Sequence, residues 1–205
     1  MYLPAHFAVT DRAQLHGLMA AHPLATVVMQ DGDGLSANHL PLVLDGKAGE
    51  WGVLRGHVAR GNPLAAADGS PVLVIFHGPQ TYVSPGDYAT KAVDGRVVPT
   101  WNYAVVHAHG VLRTYPDAEW IRAQVGALTS EHEAGRAYPW AVSDAPADYT
   151  DRLLRAICGI EIVIDRLEGK WKVSQNQPAV NRESLAAALE GRQPEMAGLV
   201  RRGRE

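Results

Sequence analysis

The 205-residue sequence predicts a β-rich α+β fold, and three observations carry that expectation. Runs of alternating or β-branched apolar residues recur along the chain and read as strands. Several of them follow one another across short Asp/Gly turns, as in a meander. The helical segments stand at separate places instead of alternating with strands, so a doubly wound parallel sheet is not expected. A chain so rich in strands hides its sheet edges most simply by closing a barrel.

The elements follow in order. Residues 10–21 predict a short amphipathic helix that Thr10 or Asp11 caps, with Leu15, Leu18 and Met19 on one face and His22-Pro23 ending it. Residues 24–30 carry Thr26, Val27 and Val28 and predict a strand, and Asp31-Gly32-Asp33-Gly34 predicts a hairpin turn. Return strand 35–44, a turn at Asp45-Gly46 and a strand at 50–54 would complete a three-stranded meander. Asn62-Pro63 opens a short helix over 63–67, by a side-chain cap and a preset φ. Residues 71–77 and 80–83 predict strand, 84–95 loop, and 101–112 a long strand. The longest helix is expected over 116–133, where Asp117 and Glu119 complement the dipole and Ile121, Val125 and Leu128 share a face. A helix at 147–156 precedes a strand at 159–167, where Ile160, Ile162 and Ile164 mark the buried face. The chain then turns at Glu168-Gly169 or continues through a bulge, and a last helix spans 181–189.

Composition bounds the function. At 46% hydrophobic and 20% charged residues the chain has ample core material, and its net charge of −3 offers no general pull toward nucleic acid or anionic membranes. The one local basic patch, Arg201-Arg202-Gly203-Arg204, is short and expected to fray, so direct DNA binding is not expected. A single cysteine, Cys158, excludes an internal disulfide and fits a reducing compartment; a cytoplasmic location is expected, with no secretory leader and no spanning segment.

Nine histidines invite a metal reading, with His107 and His109 on one face of a strand, but no HExxH or clustered carboxylates support it. Structural histidines are expected, and no metal site is assigned. No nucleophile elbow, P-loop or dinucleotide fingerprint occurs, and no residue declares itself a general acid or base.

Three segments are more informative. Arg55-Gly56-His57-Val58-Ala59-Arg60-Gly61-Asn62-Pro63 places two guanidinium groups before a helix start, which suits a phosphate dianion or else a solvated basic loop with an Asn cap. Val98-Pro99-Thr100-Trp101-Asn102-Tyr103 suits stacking and edge hydrogen bonds to a planar heterocycle, or an aromatic plug at a barrel rim or dimer interface. Lys170-Trp171-Lys172-Val173-Ser174-Gln175-Asn176-Gln177-Pro178 puts polar donors at a strand end, or forms a loop into the last helix.

Together with Met1-Tyr2-Leu3-Pro4-Ala5-His6-Phe7, His39-Leu40-Pro41 and Phe76-His77-Gly78-Pro79-Gln80-Thr81-Tyr82-Val83-Ser84-Pro85, these segments resemble the PaiB family of FMN-binding negative transcriptional regulators. The matches run in order across residues 1–180. The resemblance implies an FMN-binding split β-barrel with peripheral helices, residues 1–180, with 181–205 as the C-terminal helix and tail of the same domain. It further implies a homodimer with two FMN sites at its interface. By that resemblance Asn38, His39 and Leu40 lie along the isoalloxazine and ribityl chain, and Arg55, Gly56, His57 and Arg60 take the phosphate. Thr100, Trp101 and Asn102, with Gln175 and Asn176, come from the other subunit or close the site.

One departure matters. Flavin oxidases of this fold carry Ser or Thr followed by Arg-Lys where this chain has His57-Val58-Ala59-Arg60. Fewer fixed donors imply weaker FMN binding or a changed ligand. Related split barrels bind haem, for which His57, His77 or His107 would offer an axial ligand. A flavin reductase or oxidase, a flavin sensor, an indirect regulator of transcription and a haem protein therefore all stand as expectations.

Overall fold

A computed structural model describes residues 1–203. Among these residues the elements are β1 (Ala8–Val9), α1 (Arg12–Ala21), β2 (Leu24–Asp31), β3 (Gly34–Pro41), β4 (Val43–Asp45), β5 (Val53–Ala59), β6 (Pro71–Val83), β7 (Thr100–Tyr115), α2 (Ala118–Glu133), α3 (Ala147–Leu154), β8 (Ile157–Lys172), α4 (Ala179–Leu189) and α5 (Pro194–Arg202). This is the β-rich α+β class that the strand periodicity predicts. Hydrogen bonds order the strands β3-β2-β6-β7-β8-β5-β4, with β1 paired to β8. The chain divides into two units, one of residues 19–76 and 107–167, the other of 1–18, 77–106 and 168 onward.

In the first unit β3 and β4 end the strand path, yet only Leu42 separates them in the chain. The path must therefore return on itself, which is how a sheet closes into a barrel. Leu42 is buried, and its amide donates to the Pro23 carbonyl at 3.0 Å. The alternation of β2 buries Ala25, Val27 and Met29, which are core residues of this unit together with Val72, Val74 and Phe76 of β6 and Ile160, Ile162 and Ile164 of β8. Each such large aliphatic side chain contributes about 1.5–3 kcal/mol by leaving water. Asp117 caps α2 by accepting from the amides of Glu119 and Trp120 at 3.1 and 2.9 Å.

The second unit pairs β1 with the end of β8, Ala8 opposite Lys170 and Val9 opposite Gly169. Leu185 and Leu189 of α4 and Met196 and Val200 of α5 are fully buried. Asp11 is the residue that caps α1, accepting from the Ala13 amide at 2.9 Å.

Four expectations change. The predicted return strand 35–44 is broken at Leu42 into β3, which pairs with β2, and β4, which pairs with β5, so the meander is split between the two ends of the strand path. Strand β5 starts later and runs further than 50–54, with Val53, Leu54, Gly56 and Val58 buried and the strand paired on both edges. Of the two courses expected at Glu168-Gly169 the turn is not taken and β8 continues to Lys172, past its expected end at 167: a Cβ on Gly169 would lie 2.1 Å from Leu15 Cδ2 and 3.0 Å from the Val9 carbonyl, so glycine there admits α1 and β1. Finally, Arg201 and Arg202 form the last turn of α5, where cations complement the dipole, instead of a frayed tail. Arg204 of the same basic patch lies outside the described residues.

Candidate functional site

Most of the residues expected to take the flavin phosphate sit on β5, between β4 and β8. Arg55 lies opposite Val43 and Glu161, and His57 opposite Gly159. The helix start expected to bind anions is only a four-residue 3-10 turn, Pro63–Ala66, so it brings no run of free amides to a ligand. The structure uses the two arginines differently. Arg55 donates through Nε to Glu161 Oε2 at 2.8 Å and through Nη1 to Asp45 Oδ2 at 3.0 Å. Glu161 also accepts from the Tyr115 hydroxyl at 3.3 Å. The hydrogen bond to Glu161, followed by that to Asp45, raises the Arg55 guanidinium above its ordinary range. Two carboxylates thus neutralise the charge that was expected to meet a phosphate.

Arg60, by contrast, donates to neutral carbonyls only: Nε to Arg155 O at 2.6 Å and Nη2 to Pro116 O at 3.1 Å. It is exposed, and among the described residues no carboxylate pairs with it. Two residues on, Asn62 caps the 3-10 turn by accepting from the Leu64 amide at 2.9 Å and donates to Asn38 Oδ1 on β3 at 2.8 Å. Asn38 and the Arg60 turn are therefore neighbours. His39 is exposed and shares a hydrogen bond with Thr26 Oγ1 at 3.1 Å, while Leu40 is half-buried opposite Ala25. Gly56 is buried, with a Cβ position 2.7 Å from Leu42 Cδ2 and 3.1 Å from the Pro41 carbonyl. Its missing side chain makes room for the link between β3 and β4, not for an anion.

His57 Nδ1 shares a 2.8 Å hydrogen bond with Gln124 Oε1 of α2. Gln124 Nε2 and, on β3, Ser36 Oγ are buried without a hydrogen-bond partner. The sequence reading passed over Gln124, although a lone amide one turn from Ile121 on an apolar helix face is the signal that would have found it.

The remaining expected residues lie in the other unit. Asn102 is fully buried and donates to Ser174 Oγ at 2.9 Å, and the Tyr88 hydroxyl reaches the same oxygen at 3.3 Å. Gln175 closes its own loop, donating to Trp171 O at 2.6 Å and accepting from the Val173 amide at 2.8 Å. Asn102 and Gln175 are thus engaged in holding the strand end. Thr100, Trp101 and Asn176 face outward to differing degrees, with Trp101 half exposed and its Nε1 donating to Gln80 Oε1 at 3.2 Å. Lys172, absent from the expected set, donates to Thr100 Oγ1 at 2.5 Å and to Trp101 O at 2.6 Å.

Residues 1–166 match the family model described as "Putative FMN-binding domain". The chain belongs to that family. It is 36% identical to an uncharacterized protein of Emericella nidulans, across 93% of this chain and 90% of the relative. The Bacillus subtilis protein named protease synthase and sporulation protein PAI 2 is 29% identical, across 86% of this chain and 83% of its own. Among solved structures, the FAD and heme binding protein from Mycobacterium smegmatis superposes with a TM-score of 0.60 at 23% identity, covering 88% of this chain and 79% of that one. The family match supports FMN as the cofactor, and the likeness to the Mycobacterium smegmatis structure supports the β-rich α+β fold. No helix among the described residues is long and apolar enough to cross a membrane.

Proposed function

We propose that this chain binds FMN with the phosphate on Arg60, and that it does so as a homodimer. The observation that carries the reading is the contrast between the arginines. Arg55 is neutralised by Asp45 and Glu161, whereas Arg60 is held in place by two carbonyls and keeps Nη1 for a ligand. An oriented guanidinium with no counter-charge suits a phosphate. His57 stands with it on the same segment, and Asn38, His39 and Leu40 line the neighbouring β3 for the ribityl chain and ring. Arg55 and Gly56 act at one remove, by fixing β5 against β4 and β8.

The donor set fits such a group. The buried Ser36 Oγ and Gln124 Nε2 lack partners, and buried polar atoms are rarely left so. Thr100, Trp101 and Asn176 form the second set, offered to the flavin of a partner copy, while Asn102 and Gln175 hold the strand end behind them. FMN, when bound, supplies the redox chemistry, and the residues named here bind and orient it. Regulation of transcription, in this reading, follows indirectly from flavin occupancy, because a net charge of −3 gives DNA little to attract.

Fluorescence titration of the purified protein with FMN and with riboflavin tests this, alongside sedimentation for the dimer. FMN binding much tighter than riboflavin is the expected result. Equal affinities would remove Arg60 as the phosphate contact. A haem reading draws on the name of the Mycobacterium smegmatis relative, and a Soret band after haem addition without flavin binding would favour it.

A further inference from the structure

On the last residues of β8, Lys170 and Lys172 are two apart, so their side chains leave the same face of the strand. Lys170 is 8% exposed. Its ammonium donates to the Tyr2 carbonyl at 3.0 Å and lies 5.6 Å from the Tyr2 ring centre and 5.5 Å from that of Tyr103. Lys172 donates to Thr100 Oγ1 and the Trp101 carbonyl. Every one of these partners is neutral. The nearest acid along the strand, Glu168, is engaged by the Met1 ammonium at 3.0 Å. Two neighbouring cations, one of them nine-tenths buried, are therefore without a counter-ion among the described residues.

Such an arrangement costs free energy, because carbonyl and ring contacts replace only part of the stabilisation that the charges lose on leaving water. Burial, and after it the Lys170 charge, holds the Lys172 ammonium below its ordinary lysine range. An anion at this place would relieve both effects. The surroundings say what kind of anion. Trp101 and Tyr82 are each half exposed, their rings 6.2 Å apart at 58°, and the Trp101 indole is oriented by its bond to Gln80. A held aromatic side chain on the residue whose carbonyl meets the Lys172 ammonium suits a ligand that joins a flat ring to a negative group.

We infer that Lys172, Trp101 and Thr100, with Tyr82 at the edge and Lys170 behind, form a binding site for a planar aromatic anion. Lys172 makes the contact with the anionic oxygen, Trp101 stacks on the ring, and Lys170 adds charge without touching the ligand. Carboxylate and phosphate share the required chemistry. Thr100 and Trp101 also belong to the flavin set proposed above, but this inference stands on the two lysines. Its test contains no flavin, so the failure of either reading is visible separately.

The experiment is calorimetric titration of the full chain with four probes: 2-naphthoate, 2-naphthyl phosphate, the neutral 2-naphthamide, and acetate. Saturable binding is expected for naphthoate or naphthyl phosphate, and whichever binds more tightly identifies the anionic group. Naphthamide and acetate are expected to bind at least about tenfold more weakly, the loss that corresponds to about 1.4 kcal/mol. Lys172→Met should weaken the preferred probe by a similar factor, while Lys172→Arg retains most of the affinity. Circular dichroism confirms that both variants are folded, and Lys172→Gln replaces Lys172→Met if the latter is not. Failure of both anionic naphthalenes to bind, equal binding of naphthamide, or unchanged affinity in a folded Lys172 variant lacking the charge would each overturn the inference.

Discussion

Replacing Arg60 by alanine isolates the arginine that, unlike Arg55, pairs with no carboxylate among the described residues. Its Nε and Nη2 are committed to Arg155 O and Pro116 O, so a single guanidinium nitrogen, Nη1, remains for the phosphate. One charge-assisted hydrogen bond is worth about 1.5–3 kcal/mol. At 1.4 kcal/mol per factor of ten, Arg60→Ala should weaken FMN by roughly 10- to 150-fold. Riboflavin, which has no phosphate, should bind the variant and the wild type alike. The residue is exposed and the two carbonyls it releases can turn to water, so the stability cost should stay below about 1 kcal/mol. Flavin fluorescence titrations of both proteins with both ligands give the four constants needed, and a urea melt checks the fold. Unchanged FMN affinity in a folded variant, or an equal loss for riboflavin, would refute the assignment.

Other perturbations test the frame around this site. The Asp45 carboxyl is held below its ordinary value, first by the Lys47 amide and further by Arg55. A lowered folded pKa stabilises the fold above the unfolded value near about 3.9 and loses that contribution as pH falls through the folded value. Urea melts should thus show wild-type stability dropping below about pH 4, and Asp45→Asn should flatten that part of the profile. At Gly159 an added Cβ would lie 2.2 Å from the Trp120 ring, which is stacked on Tyr115 at 4.5 Å. Gly159→Ala should therefore destabilise by about 1–3 kcal/mol and change the near-ultraviolet dichroism of that pair. Ser174 adopts φ 64° and bonds the buried Asn102. Ser174→Ala should lower stability in thermal melts by about 1–3 kcal/mol, while Ser174→Gly should lose less, because glycine relieves the left-handed backbone.

What was legible in the sequence follows the range of the interactions. Periodicity located β2, β6, β7 and β8, and single residues located two caps, Asn62 before its 3-10 turn and Asp11, one of two candidates, before α1, whereas Asp117 was read as a residue of α2 and not as its cap. Helix α5 was legible too and was missed, since Pro194 at its start and the spacing of Met196, Val200 and their neighbours are local signals. The resemblance in six ordered segments named the family that the comparison with known domains shows.

The partners of the candidate site were not legible in the same way. Arg55 and Arg60 look equivalent in the chain, each basic and each close to a glycine. Their difference arises because β5 pairs with β8, which sets Glu161 opposite Arg55, and with β4, which brings Asp45 beside it. Asn102 likewise reads as an edge for a ligand until the fold brings Ser174 to it across 72 positions, and Lys172 reads as a solvated charge until Thr100 and Trp101 meet it. The sequence alone determined the strands, the caps and the family, because alternation, capping and motif order need only near neighbours along the chain. The tertiary structure alone decided which charges are cancelled and which meet only neutral partners, because strand register and sheet closure join residues that the chain keeps far apart.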